Sequence, residues 1–442
     1  MIKILTISRT PWNNANSFGN TFSNLFGGME NVELYNICCK KGESDSDILK
    51  EFAQLSDKSV LKSIFKKKND PCSIRESIEE TCDGEGGKES GRKFARTTFN
   101  YIARDFIWKL GRWKKSETLN DFLDKIKPDV IYLPVYASWY MCDFQLYVIK
   151  KLGVPVVGHI SDDVYGDLRA IRSPLKRFYV RVLRKKLKKI VSECEYLEVI
   201  AENMQTEYEK IFDKKCYLIG KGIDFSKQEP NSLSKEEQTD GNELTLLYTG
   251  NIGTGRYKVL CDIAKELDNC TGNKNAVLKI FSATQLDNKM RKAFAKYSSL
   301  KFLGQISYQE VIAQQKKADY LVFVEDFSRT NVSAVRMSFS TKIIDYMMAE
   351  KPIFAVGPNE IYPIQLLKKN NLAIVSVSET ELEENVERIT SGKADGSELV
   401  NNANRYLREN RDIKVIQKGI FDRLSDIVGC TEGKKSYEGN TY

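Results

Sequence analysis

The 442-residue chain has a single histidine, no Cys-x-x-Cys pair and no run near the roughly 18 apolar residues that a bilayer span requires. A zinc site would have almost no ligands, so no metal is expected. The opening MIKILTISRT turns polar too early for a secretory segment and reads as a first strand, which points to the cytoplasm. No repeat with a period of 20 to 50 residues is evident, which excludes solenoids. The interleaved aromatic platform of single-strand binders is also missing, so nucleic acid is not an expected partner. Ten cysteines are scattered, with Cys38 and Cys39 adjacent, and read as reduced structural thiols.

What is present is globular. Hydrophobic residues make up 41% and charged residues 29%, and the length suits two domains of about 200 residues each. The net charge of +8 suits an anionic substrate or an anionic membrane surface. Short β-branched runs (IKILTI, VELYNI, DVIYLPV, VPVVGHI, YLEVIA) alternate with helix-length stretches, as parallel sheets with helical crossovers require. The rhythm stops in SKQEPNSLSKEEQTDGNE and resumes with LTLLYTG, AVLKIFSA, LKFLGQI, YLVFVED, PIFAVG and LAIVSVS. The expected division is a first domain over 1–225, a linker over 226–243, a second domain over 244–400, and a helical segment with a polar tail over 401–442. Residues 66–93, rich in charge and glycine, read as a mobile insertion in the first domain.

The most informative stretch is SFSTKIIDYMMAEKPIFAVGP, residues 338–358. Hydroxyl residues open an amphipathic helix, and a helix start offers unpaired N–H groups and a positive dipole end. Ser338, Ser340, Thr341 and the helix amides can therefore hold a diphosphate, with Lys342 adding a full charge. Asp345, one turn on, can accept hydrogen bonds from ribose hydroxyls. The competing reading is an ordinary capped helix with a solvated Asp345. At the first strand of the same domain, LLYTGNIGTGRYKVL places Gly250, Gly253 and Gly255 where backbone can approach a ligand, followed by Arg256 and the weaker candidate Lys258.

An acid, small or apolar residues, then Lys-Pro and an apolar strand resembles the nucleotide-sugar site of family 4 glycosyltransferases. The resemblance covers most of residues 1–390. It implies a GT-B fold, with two Rossmann-like parallel α/β domains facing across a cleft, the first on the acceptor side and the second binding the donor. Asp345 matches the acid that meets the donor ribose. The family's second glutamate, eight residues earlier, is Met337 here, so the paired-acid motif is incomplete. Arg256 matches the base that neutralises the leaving diphosphate, which suits a bidentate guanidinium. Gln305, Ile306 and Ser307, in KFLGQISYQEV, match the loop beside the nucleobase.

In the first domain, Gly19 and Asn20 sit at a loop-to-helix junction that can approach a donor phosphate or an acceptor hydroxyl and are candidates for donor binding, and His159 stands at the end of VPVVGHI, where related enzymes carry a histidine that touches the donor sugar. Lone histidines are usually structural. Asp162 and Asp163 are candidates for acceptor binding or for a base, or else cap the next helix. The resemblance thus implies a catalytic set of His159, Arg256 and Lys342, sugar transfer with retained configuration, and no need for cofactor or metal beyond the nucleotide-sugar donor. The expected acceptor is a glycan or polyprenyl-linked glycan of cell-envelope polysaccharide synthesis. A catalytically degenerate binding module and a nucleotide-sugar epimerase are the alternatives; one histidine argues against the epimerase.

Residues 173–190, SPLKRFYVRVLRKKLKKI, read as a helix capped by Ser173, with Leu175, Phe178, Tyr179, Val182, Leu183, Leu187 and Ile190 on one face. Lys176, Arg177, Arg181, Arg184, Lys185, Lys188 and Lys189 fill the other. Such a helix can rest on an anionic membrane surface, with Trp108 and Trp113 as interfacial anchors, or pack on the core with a solvated basic face.

Overall fold

In the computed structural model of the protein, residues 1–438 are described apart from 15, 45, 67–68, 77–97, 167, 169–170, 228–242 and 271–274. Two compact units result: residues 1–222 with 413–442, and residues 223–412. Most of the stretch read as a linker lies outside the described residues.

The first unit is built on β1 (Ile2–Ser8), β2 (Val32–Cys38), β3 (Leu49–Gln54), β4 (Ser73–Glu76), β5 (Val130–Pro134), β6 (Val156–Ile160), β7 (Tyr196–Val199) and β8 (Cys216–Leu218). They lie in the order β4-β3-β2-β1-β5-β6-β7-β8. β5 and β6 are buried at every residue, VIYLP and VVGHI, because helices cover both faces of a parallel sheet and alternation disappears. All pairings are parallel except that of β4 with β3. That edge strand corrects the sequence reading of 66–93. Residues 73–76 are sheet, because SIRE pairs with β3 from Glu51 to Gln54; residues 77–93 lie outside the described residues.

Between the strands run α1 (Ser17–Phe26), α2 (Asp57–Phe65), α3 (Thr98–Leu110), α4 (Glu117–Ile126), α5 (Trp139–Leu152), α6 (Pro174–Ser192) and α7 (Glu202–Phe212). Their starts follow local chemistry: Ser56, Ser116 and Ser173 each accept an amide of the first turn, and Pro174 opens α6.

The second unit has β9 (Glu243–Thr249), β10 (Asn275–Phe281), β11 (Leu300–Gly304), β12 (Tyr320–Val324), β13 (Ile353–Val356) and β14 (Ile374–Ser376). Its helices are α8 (Arg256–Asn269), α9 (Asn288–Phe294), α10 (Tyr308–Lys317), α11 (Arg329–Val335), α12 (Thr341–Met348), α13 (Tyr362–Lys369), α14 (Glu379–Thr390) and α15 (Ser397–Asn410). The all-parallel order β11-β10-β9-β12-β13-β14 is that of a doubly wound dinucleotide-type sheet. Two apolar layers flank it, one around Leu246, Val322 and Leu260, the other around Leu247, Phe323 and Ile344.

The chain then returns to the first unit as α16 (Ile413–Glu438). Ile420 and Leu424 are fully buried there with Phe22, Phe26 and Tyr132. Each such side chain contributes about 1.5–3 kcal/mol of burial. Among the described residues the cysteines are free and, apart from Cys270, buried.

Candidate active site

In a doubly wound sheet the crevice forms at the carboxyl ends of the strands where the winding reverses. In the second unit that point lies between β9 and β12. β9 runs into the glycine loop and β12 into Glu325 and Asp326, so two loops 69 residues apart in sequence meet.

Gly250 (φ +134°), Thr254 (φ +53°) and Gly255 (φ +91°) turn the β9 loop into the start of α8. A Cβ on Gly250 would lie 2.6 Å from Lys342 Nζ, and one on Gly255 would collide with the Asp326 carboxylate. Glycine is needed at both positions for their positive φ; a Cβ at Gly250 would also displace the Lys342 ammonium. Gly253 donates its amide to Asn251 Oδ1 at 2.6 Å and accepts from the Arg256 amide at 3.2 Å.

Arg256, at the first turn of α8, donates Nη2 to Glu325 Oε1 at 2.7 Å and Nε to Glu325 Oε2 at 3.1 Å. The carboxylate side chain is 6% exposed and the arginine 21%. Burial disfavours the guanidinium charge, but Glu325 outweighs it and holds the group protonated. Asn331 Nδ2 donates to Glu325 Oε2 at 3.3 Å and to the Asp326 carbonyl at 2.9 Å, which fixes the acid. Nη1 is the nitrogen that Glu325 does not engage.

Lys342, in the first turn of α12, lies with Nζ 4.6 Å from the centre of the Tyr248 ring and 3.3 Å from its hydroxyl. Burial, and then the positive charge of Arg256, pull its ammonium down to about 8. Tyr346, on the next turn of α12, ties the helix to β9: its hydroxyl accepts the Thr249 amide at 3.2 Å. Ser340 is the N-cap residue of α12 but makes no side-chain cap bond. Thr341 is exposed and Asp345 half-buried.

The structure therefore brings together Gly250, Gly253, Gly255, Arg256 and Lys342, with the Ser338, Ser340 and Thr341 segment leading into the same helix. Met337 is fully buried. The carboxylates at this crevice come instead from the end of β12. Sequence reasoning missed Glu325, Asp326, Asn331 and Tyr248. The available signal was an acid pair closing the wholly apolar run YLVFV. Lys258 is exposed on α8.

Gln305, Ile306 and Ser307 follow β11, two strands from β9 at the sheet edge. The Ser307 hydroxyl and amide are both taken by Glu310, at 2.7 and 2.8 Å, in a capping box. Any base contact there falls to the backbone or to the exposed Gln305 side chain.

In the first unit His159 and Gly19 turn inward, while Asn20 and Asp162 are exposed. His159 is 1% exposed, packed edge-on against Phe22 and stacked on Tyr132. Nδ1 lies 3.4 Å from the Tyr132 hydroxyl, which donates to Glu198; Glu198 also accepts Arg423 Nη2 at 2.5 Å. Burial pulls the imidazole down to about 4, so it is neutral at physiological pH. This is the setting of a structural histidine, not of a catalytic one, because core side chains enclose its ring.

Asp163 Oδ1 accepts the Tyr208 hydroxyl at 2.8 Å and the amides of Gly166 at 2.9 Å and Tyr165 at 3.1 Å. It fixes its own loop and is not poised as a base. Asp162 is exposed. Gly19 is buried in the first turn of α1, donates to Asn16 Oδ1 at 2.9 Å, and has no room for a Cβ beside the Asn13 backbone. Its smallness serves loop packing, while Asn20 is exposed beside it.

Anabaena Alr3699/HepE in complex with UDP superposes with a TM-score of 0.60 at 12% identity, over 96% of this chain and 100% of that one. Sucrose-phosphate synthase from Thermosynechococcus elongatus gives 0.60 at 11% identity, over 97% and 100%. The fold is GT-B. The lipopolysaccharide outer core galactosyltransferase WaaB in its apo form, another GT-B structure, gives 0.56 at 13% identity over 96% and 100%. No protein-family model matches the sequence, and no curated protein matches it. At these identities the likeness to GT-B structures is one of fold.

Proposed function

We propose that the protein is a glycosyltransferase that takes a nucleoside diphosphate sugar and transfers the sugar to a glycan or lipid-linked acceptor, working in the cytoplasm on cell-envelope polysaccharide. The observation that carries this is the convergence of Arg256 and Lys342 at the switch point of the second sheet. Burial first, and then the like charge of Arg256, hold Lys342 down at about 8. A diphosphate between them relieves that repulsion and accepts from both. The solved structures of similar fold include sucrose-phosphate synthase, the galactosyltransferase WaaB, and Anabaena HepE in complex with UDP and glucose.

In this reading Arg256, Lys342 and the first amides of α12 stabilise charge on the departing diphosphate, a contribution of several kcal/mol in preorganised sites. Asp345 meets the donor ribose. Reaction with retained configuration and without a metal ion follows the same family resemblance.

The test is a panel of nucleotide sugars screened by thermal shift and by release of nucleoside diphosphate. Binding of one of them, weakened in Arg256→Ala and Lys342→Ala, supports the proposal. If no nucleotide sugar binds, the function is wrong. Binding that both substitutions leave intact moves the site elsewhere.

A further inference from the structure

α3 is amphipathic in the wrong sense for a core helix. Its buried side holds Asp105 and Trp108, while Phe99, Phe106 and Leu110, at i, i+7 and i+11 on one stripe, are 69%, 55% and 63% exposed. The helix packs against both α2 and α6. Trp108 Nε1 donates to Asp57 Oδ1 at 2.6 Å and the Arg112 amide to Ser63 Oγ at 3.1 Å, which tie it to α2; Tyr101 meets Tyr179 of α6 at 6.3 Å between ring centres. These neighbours continue the exposed apolar surface: Phe65 closes α2 at 79%, and Leu175 and Phe178 open α6 at 46% and 57%.

The two tryptophans expected to anchor at an interface are both 2% exposed and belong to the core. They interlock with Phe144. Burial by the rest of the unit, not by lipid, explains them. On α6 the predicted apolar face splits in the same way: Tyr179, Leu183, Leu187 and Ile190 are buried, whereas Leu175 and Phe178 project. Arg184 is withdrawn from the basic face, donating to the carbonyls of Tyr165 and Gly166.

Among the described residues of these three helices, the exposed charges are basic apart from Asp57. Lys58, Lys62, Lys109, Lys176, Arg177 and Arg181 are exposed on these three helices. α6 carries no acid, the single acid of α3 is the buried Asp105, and the single acid of α2, Asp57, accepts the Trp108 bond. Large apolar side chains with a predominantly basic surround fit an anionic bilayer, where rings and leucines enter the acyl boundary and cations meet headgroup phosphates. An aqueous protein partner of ordinary mixed charge has no matching surround.

We infer that α2, α3 and the first turns of α6 form a docking face for an anionic lipid surface. The same α3 reaches the ligand-bearing edge of its sheet: Arg104 Nη2 donates to Ser138 Oγ at 3.3 Å in the loop after β5, at the β1/β5 switch point. Docking by this face sets that edge close to the headgroup layer. The inference does not depend on the donor site.

The experiment is flotation of the full chain, without nucleotide, on vesicles of phosphatidylcholine alone and of phosphatidylcholine with about a third phosphatidylglycerol. The expected result is flotation with the anionic vesicles, about tenfold above the neutral ones and suppressed by high salt. Phe106→Ser with Leu110→Ser, both exposed, should remove it while melting temperature and nucleotide-induced thermal shift stay unchanged; Lys109→Glu with Lys176→Glu should weaken it. Flotation that ignores lipid charge, no flotation, or flotation retained by the serine variant overturns the inference. So does a wild-type dimer that the serine variant converts to monomer, which assigns the face to a second copy. A lost nucleotide shift with flotation intact counts against the donor site alone.

Discussion

The Arg256 guanidinium and the Glu325 carboxylate meet edge to edge, Nη2 to Oε1 at 2.7 Å and Nε to Oε2 at 3.1 Å, at the junction of β9 and β12. The acid orients the base and shares its charge, so each substitution has two consequences.

Arg256→Ala leaves the Glu325 carboxylate buried against Asn331 alone and is expected to cost about 2–3 kcal/mol of stability, less than the roughly 3–5 kcal/mol of breaking a fully buried pair because the arginine is partly exposed. Affinity for the nucleoside diphosphate falls about tenfold or more, the usual loss of a charge-assisted bond. Arg256→Lys does not restore it, since an ammonium cannot make the same two bonds. Urea unfolding and calorimetric titration with UDP measure the two effects separately.

Lys342 makes binding pH-dependent. Its folded value, about 8, lies below the ordinary 10.5, so between these limits the unfolded chain keeps a proton that the folded chain has released. Ligand-free stability therefore rises with pH across that window. A bound diphosphate reverses the shift, so nucleotide binding at pH 8 takes up a proton and weakens as pH rises further. Calorimetry at pH 8 in two buffers of different ionisation enthalpy reads the uptake. Lys342→Met should abolish it and stabilise the ligand-free protein.

His159 acts on stability in acid. Its folded value, about 4, lies below the ordinary 6.5, so the unfolded chain gains a proton first as pH falls and stability is lost between pH 6.5 and 4. The full effect is about 3 kcal/mol. His159→Phe should match the wild type near pH 7 and exceed it progressively toward pH 4, as thermal melts across that range would record.

Arg423→Met leaves Glu198, at 0% exposure, with only the Tyr132 hydroxyl. The expected cost is about 3–5 kcal/mol. Glu198→Gln added to Arg423→Met should recover part of it, because an amide needs no counter-charge. Urea midpoints of the single and double variants decide.

Much of this was readable in the chain. The strand runs, the Ser173-capped start of α6, the glycine loop and the positions of Arg256 and Lys342 depend on local periodicity and turn chemistry, which neighbouring residues express by themselves. His159 shows where such reading stops. Its place near the end of a parallel strand was visible, but Phe22, Tyr132, Glu198 and Arg423, which enclose its surroundings, arrive from four other elements. The exposed stripe of α3 was hidden for the same reason: Trp108 and Phe106 look alike in sequence, and only the packing of α2, α5 and α6 determines which is buried.

The sequence by itself determined two parallel α/β units, the backbone permissiveness at Gly250 and Gly255, and the cations that follow each helix start. Only the tertiary structure decided that Glu325 holds Arg256, that Tyr248 lies beneath Lys342, and that α16 returns to complete the first unit. Sheet order sets those contacts, and it is fixed by which apolar faces bury one another across crossovers of tens of residues, a choice no local segment contains.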